Sequence, residues 1–416
     1  MTEADVVIVG GGIGGSSLAG YLARAGLEVL VVEQLTEFTD RVRGEWMAPW
    51  GVAELQKLGL HERLLRAGGH HLTRSIGYDE LLTREQAEWA QRAFGDECPG
   101  VAGPLCLEHV VMQNVALAAA EESGARVLRG VSHIQVTAGA NPSVTFEHEQ
   151  ALHEVRCRWI VGADGRTSTV RRQVGIQIRE APLDHLIVGL LVDGADEWPE
   201  DLQCLGKFGD LHYLVFPQGG GKVRLYGDYA YAGRARFTGE QGAQQLLAAF
   251  DIPQIPNSGA IANARPIGPC RSYPSQDAWV DEPCAEGVVL IGDAAGYNDP
   301  ILGQGLSVTL RDARSVAELL TTTPTWSEEM LRPYVEERRE RLRRLRFTAA
   351  FVTTLNARFG AVDLERRARA FGRIASDPSL MAVTQAAFAG PETVPAGCFT
   401  PEYYAEVFGT TEHLVA

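Results

Sequence analysis

The 416-residue chain has no Cys-x-x-Cys pair, and its seven cysteines, Cys98, Cys106, Cys157, Cys204, Cys270, Cys284 and Cys398, are scattered and odd in number. That argues against a disulfide framework, a cysteine zinc site or a redox dithiol, and reads as reduced packing residues of a cytoplasmic protein. No apolar run reaches the length of a membrane span, and with the first strand pattern beginning almost at Met1 no signal peptide is expected. Basic residues are also in deficit, 38 Lys and Arg against 53 Asp and Glu, for a net charge of −15. A surface that neutralises phosphates needs the opposite sign, so no nucleic-acid partner is expected and a small-molecule enzyme fits better. Repeats, low-complexity linkers and a metal-ligand cluster are missing as well.

What is present starts with an apolar run from Asp5 to Val9 that ends in Gly10-x-Gly12-x-x-Gly15. A buried parallel strand running into a tight turn looks like this. Its first glycine permits the turn, the second lets backbone amides approach a pyrophosphate, and the third lets the next helix pack on the strand. The spacing predicts a helix over 13–25, stopped at Gly26, then a second strand over 28–32 with Glu33 at its end. A carboxylate there accepts both ribose hydroxyls, which favours FAD or NAD over NADP.

Beyond Glu33, apolar spacing at Val52, Leu55 and Leu58 predicts a short helix stopped at Gly59, and a longer helix is expected over 107–123. Strands over 126–128, 134–136, 144–147 and 155–161 lead to Gly162-Ala163-Asp164-Gly165, followed by Ser168 and Arg171 at a helix start. Residues 184–279 are strand-rich, over 186–192, 206–217, 222–232 and 261–267, with one helix over 240–250. Their alternation allows one packed face and one face lining a pocket. The strand–loop–helix pattern then returns over 287–320, with Asp293 at a strand end and a glycine-flanked loop, 300–305, leading to a helix N-terminus suited to an anion. Residues 326–416 read as mainly helical. Within them, 335–346 (VEERRERLRRLR) is expected to be a solvated, salt-bridged face, and Thr400 to cap a last helix.

Taken in order, Gly10 to Gly15 with Glu33, Asp164-Gly165 with Ser168 and Arg171, and Gly292-Asp293 with Pro300, Gly303 and Gly305 resemble the single-Rossmann FAD-dependent monooxygenases. This is the aromatic-hydroxylase family that includes p-hydroxybenzoate hydroxylase, and the resemblance covers about residues 1–314. It implies an α/β fold, a Rossmann-like FAD-binding domain (1–75, 106–183 and 280–325) with an inserted, mainly antiparallel β-sheet substrate domain (76–105 and 184–279) and a C-terminal helical region (326–416). It implies FAD, with Gly10, Gly12, Ile13, Gly14, Gly15 and Glu33 on its ADP half and Arg43 on the phosphates or ribityl chain. Asp293 would hold the ribityl hydroxyls, and Gly303, Gly305 and Leu306 the loop and backbone at the flavin. Arg41, Val131 and Asp164 complete the set. Members usually open the helix near 107 with an arginine; here His109 stands there, with Gln113 one turn on. Gly296 replaces a frequent histidine.

The implied activity inserts one oxygen atom of O2 into an aromatic or other electron-rich small molecule through a C4a-(hydro)peroxyflavin. NADPH or NADH would supply electrons, or a separate flavin reductase would deliver reduced flavin. A helix N-terminus at Gly305 would stabilise the reduced flavin's charge, while loop 300–302 and the sheet around Phe216 and Pro217 would exclude water. His212, Tyr213, Phe216, Pro217 and Pro300 are the candidate pocket residues, with Trp46 and Tyr226 beside them. Alternation puts His212, Leu214 and Phe216 on one face and Tyr213 on the other, so only one set can see the flavin. A reductase or desaturase of the geranylgeranyl-reductase type and an idle FAD-binding accessory protein remain as alternatives. A halogenase would carry a WxWxIP signature, and a two-dinucleotide monooxygenase a second GxGxxG; neither occurs.

Overall fold

In the computed structural model, which describes residues 2–42 and 44–414, the strand Thr2–Val9 lies inside an eight-stranded sheet. Its parallel neighbours are Ala151–Gly162 and Val29–Glu33, with Val288–Leu290 and Arg126–Arg129 outside them. The register sets Val7 beside Ile160 and Val6 beside Val29. A continuous apolar strand must be covered on both sides, and it is. Val6 and Ile8 face the helices Ile13–Arg24 and Gly305–Thr322. Val7 and Val9 face Val144, Phe146, Val155 and Val170 on the other side. Ala119 and Ala120 of the helix His109–Glu122 meet Gly20, where an added Cβ would lie 3.4 Å from the Cα of Ala120.

A second eight-stranded sheet is antiparallel except where Leu202–Phe208 runs parallel to Arg74–Gly77. Its central strands are His185–Asp193, Lys222–Ala230 and Leu211–Gly219. One face, with Leu186, Val188, Leu190, Tyr213, Val215, Val223 and Leu225, is buried against helices Gly242–Ala249 and Ser258–Ala262. Two expectations change here. The stretch 206–217 is a hairpin broken at Gly209, whose φ of +57° turns the chain. The stretch 261–267 opens in the end of a helix, and only Arg265–Pro266 pairs as strand.

The C-terminal region is helical and its longest element is Arg332–Asn356. It is not solvated over 335–346 as expected. Helical periodicity carries Arg338 and Arg341 round with Tyr334, Val335, Leu342 and Leu345 onto the buried face, where both guanidinium groups close on Asp312. Pairs with glutamates near solvent are made by Arg339 and Arg343 on the opposite face, and by Arg341 itself, which reaches Glu337 at 2.9 Å. The last helix, Pro401–Phe408, is capped by Thr400, whose side chain accepts from the amide of Tyr403. Among the described residues no helix is long and apolar enough to cross a membrane, and no cluster of three or more His, Cys, Asp or Glu could hold a metal.

Candidate active site

A cavity of about 900 Å³ runs from the glycine turn of the first sheet to the free face of the second. At its first end Gly10 has φ of +107°, and an added Cβ would lie 2.4 Å from the carbonyl oxygen of Ala163. Gly15 is as tight, its Cβ position 2.0 Å from the oxygen of Gly10, so it packs the helix on the turn and does not reach the cavity. Gly12 meets nothing closer than Gln113 Nε2 at 4.0 Å, which leaves its backbone open to the cavity. Glu33 accepts from the amides of Gly11 at 2.6 Å and Leu35 at 2.8 Å. Ile13, Gly14, Arg41, His109 and Gln113 also line this end, and His109 is held by a contact from Nδ1 to the oxygen of Gly44 at 2.9 Å. Val131, placed with the cofactor residues by resemblance, is corrected: it is buried behind the wall and donates its amide to the oxygen of Glu33. Arg43 lies outside the described residues.

The second and third motifs are tied to each other. Asp164 accepts from Ser168 Oγ at 2.5 Å and from the amides of Thr169 and Val170, holding the turn that starts the helix Thr169–Gln173. Arg171 from that helix donates to the oxygen of Ala294, inside the loop that carries Asp293. The same loop is gripped from below. Asp312 accepts from the amide of Gly292 at 2.8 Å, and Arg338 donates to the oxygens of Ala295 at 2.9 Å and Gly296 at 3.1 Å. Burial opposes the charge on Asp312, but Arg338 and Arg341 outweigh it and hold the carboxyl below its ordinary range. Asp293 itself lines the cavity beside Arg166, whose guanidinium sits 4.3 Å from the ring centre of Tyr297.

Pro300–Leu302 forms one short turn, and Gly303, at φ of +65°, leads through Gln304 to the N-terminus of the helix Gly305–Thr322. Gln304 locks this turn: it accepts from Trp50 Nε1 at 2.8 Å and donates to the oxygens of Leu302 and Ala387. Pro300, Gly303, Gly305 and Leu306 all face the cavity. Open glycine backbone at one end and a helix N-terminus at the other fit an extended dinucleotide with a pyrophosphate and a planar ring.

The far end is built by alternation. Strand pairing sets Gln203, Leu205, His212, Leu214, Phe216 and Tyr226 on the free face of the second sheet, and all six line the cavity. Tyr213 and Pro217 fall on the other face, which corrects both as pocket residues; the Tyr213 hydroxyl donates to the oxygen of Tyr78 at 2.8 Å within the outer core. Trp46 closes the end, its Nε1 on Gln203 Oε1 at 2.9 Å and its ring packed near Phe216, Phe388 and the Cα of Gly303. Behind it Glu45 is ion-paired with Arg224 and accepts from the Tyr226 hydroxyl at 3.0 Å. Burial pushes the Glu45 carboxyl up, although Arg224 opposes it. His212 is held through Nδ1 by Asp228 at 2.8 Å.

Glu45, Gln203, Arg224, Asp228 and Phe388 carry no motif. Only the strand register, and the return of residues 352–388 over the cavity, could reveal them. Together these features define a dinucleotide-binding flavoprotein whose second sheet closes a pocket beside the cofactor groove. The chain belongs to the FAD binding domain family, which matches residues 3–347. It is 27% identical over 332 residues to a menaquinone reductase of Mycobacterium tuberculosis, covering 76% of each chain. It is 25% identical over 334 residues to squalene monooxygenase of Mus musculus, covering 78% of this chain and 56% of that protein. Its fold matches p-nitrophenol 4-monooxygenase from Pseudomonas putida DLL-E4 with a TM-score of 0.78 at 19% identity, over 94% of this chain and 99% of that one. The chain therefore shares its fold with that monooxygenase and its family with FAD-binding proteins.

Proposed function

We propose that the protein is an FAD-dependent monooxygenase that inserts one atom of O2 into an aromatic or other electron-rich small molecule. The observation that carries this reading is the far end of the cavity, where Trp46, Phe216, Phe388, Leu205 and Leu214 make an apolar, aromatic-walled space next to the helix N-terminus at Gly305. Bound FAD would supply the redox and oxygen chemistry. The glycine turn with Ile13, Gly14 and Glu33 would hold its ADP half, Arg41, His109 and Gln113 the middle, and Asp293 the ribityl chain. The amides of Gly305 and Leu306 would stabilise negative charge on the ring, and the aromatic wall would keep water away from the reacting atoms. In this reading the parallel sheet serves the cofactor and the mainly antiparallel sheet serves the substrate. Electrons would come from NADPH or NADH, or from a partner flavin reductase.

The identity to a menaquinone reductase favours a second reading, an FAD-dependent reductase. One experiment separates them. The FAD-loaded protein is reduced without oxygen and mixed with oxygenated buffer. A monooxygenase gives a transient band between roughly 370 and 390 nm before the oxidised flavin spectrum returns, because a dry site protects the oxygen adduct. Direct return of that spectrum, with and without aromatic candidates, favours the reductase.

A further inference from the structure

Three polar side chains interrupt the apolar far end of the cavity, and strand register puts them in one row. Gln203 is opposite Ser75 on the parallel strand Arg74–Gly77, and Ser75 is opposite Arg92 on the short strand Arg92–Ala93. Paired residues share a face and neighbouring strands lie about 4.8 Å apart, so the row is about 10 Å long. All three residues line the cavity, as do Leu205, Phe216 and Phe388. Gln203 is 2% exposed and Ser75 7%, whereas the Arg92 side chain is 32% exposed and forms the outer end.

Neighbouring groups fix what each open atom can do. The Trp46 indole N–H only donates, and it lies 2.9 Å from Gln203 Oε1, so the open end of that amide is Nε2, a donor. The Arg92 guanidinium rests on the Phe388 ring at 4.4 Å, and its Nη1 donates to Glu97 Oε1 at 2.9 Å and Gln385 Oε1 at 3.0 Å. Glu97 itself does not line the cavity. Among the described residues, Gln203 Nε2, Ser75 Oγ and the Nε and Nη2 of Arg92 have no hydrogen-bond partner. The carboxylates that do line the cavity, Glu33, Glu45, Asp164 and Asp293, stand on none of these three strands. Open atoms that can all donate, set in an apolar wall, call for an acceptor-rich ligand.

We propose that this row determines substrate specificity by taking a carboxylate on the substrate: Arg92 binds it side-on through Nε and Nη2, the Ser75 hydroxyl adds a third donor, and Gln203 Nε2 donates to the same molecule nearer Trp46. The inference rests on the reading of that end as a substrate site. The Nε–H and Nη2–H bonds of a guanidinium run parallel and match the two oxygens of a carboxylate, a fit that an ammonium does not reproduce. The ring of Phe388 and the contacts of Nη1 hold the guanidinium in place before the ligand arrives, so little side-chain freedom is lost on binding. The substrate is then an amphiphilic organic acid, its apolar part against Trp46 and Phe216 and its charge towards the more exposed Arg92, and not a wholly apolar molecule.

The test uses oxidised, FAD-loaded, full-length protein and two probes of matched shape, naphthalene-2-carboxylate and naphthalene-2-carboxamide, titrated by calorimetry while the flavin spectrum is followed. The wild type is expected to bind the carboxylate about tenfold more tightly than the amide. Arg92→Gln is expected to erase that preference, and Arg92→Lys to restore only part of it, because the paired edge is gone. Gln203→Glu keeps an acceptor for Trp46 Nε1 but turns the open donor into an oxygen. It is expected to weaken the carboxylate about tenfold while the amide stays within about twofold, whereas a merely structural role would weaken both probes alike. Should Arg92→Gln lose flavin, Gln203→Glu carries the test. The proposal is overturned if the wild type binds the two probes equally, so that the row holds water only, or if neither binds at millimolar concentration. It is equally overturned if Arg92→Gln and Gln203→Glu leave the preference as it was. No oxygen step enters this assay: a carboxylate preference in a protein that forms no oxygen adduct supports the row and counts only against the oxygenase reading.

Discussion

A few single side chains fill spaces that admit nothing else. At Gly15 an added Cβ would sit 2.0 Å from the oxygen of Gly10, with backbone on both sides of the clash. Gly15→Ala is therefore expected to destabilise the protein by about 1–3 kcal/mol in urea denaturation and to strip flavin from the purified protein. Arg224 is the reverse case, a buried cation surrounded by Glu45, Asp40 and Tyr226. Arg224→Met leaves Glu45 buried without its partner and is expected to cost about 3–5 kcal/mol, whereas the double variant Arg224→Met/Glu45→Leu is expected to recover most of that loss. Parallel urea titrations of the three proteins check it.

Between elements, the long helix Arg332–Asn356 works through Asp312 on the helix Gly305–Thr322. Their triad of Arg338, Arg341 and Asp312 holds the Gly292–Ala295 turn that carries Asp293. A carboxyl held below its unfolded value, about 3.9, gives stability that is present above that pH and is lost as pH falls through the folded value. Asp312→Asn is thus expected to lower stability at neutral pH by about 3–5 kcal/mol, and the deficit should shrink below about pH 4. Asp277 has the opposite sign. Burial and the neighbouring Asp299 push its carboxyl up, so the folded state binds more protons than the unfolded one and stability falls as pH rises from the usual aspartate value. Asp277→Asn keeps an acceptor for Asn298 and the amide of Asp299 and is expected to gain on the order of 1 kcal/mol at pH 8, with no gain below about pH 4. Thermal or urea unfolding across pH reads both.

At the scale of the whole molecule, the C-terminal region closes the cavity. Phe388 lies edge-on to Trp46, near Phe94, and 4.4 Å under the Arg92 guanidinium, which is itself tied to Glu97 and Gln385. On the proposed function, Phe388→Ala lets water reach the reacting atoms. Hydrogen peroxide released per reductant consumed is then expected to rise several-fold, while flavin content holds.

Read from the chain alone, the glycine turn, Glu33, the two later motifs and the class of fold are determined. They depend on local spacing, where a strand, a tight turn and a helix start lie within about 30 residues. Alternation likewise shows that the second sheet has two faces. Which face meets the cavity was decided only by the tertiary structure, because helices Gly242–Ala249 and Ser258–Ala262 cover the side of Tyr213 and leave that of His212 and Phe216. The same holds for Arg338 and Arg341. A run of alternating Arg and Glu looks solvated until another helix presents a buried carboxylate, and Asp312 lies more than 25 residues earlier in the chain. Local spacing selects elements; only long-range packing decides which of their side chains lose water and so acquire chemistry.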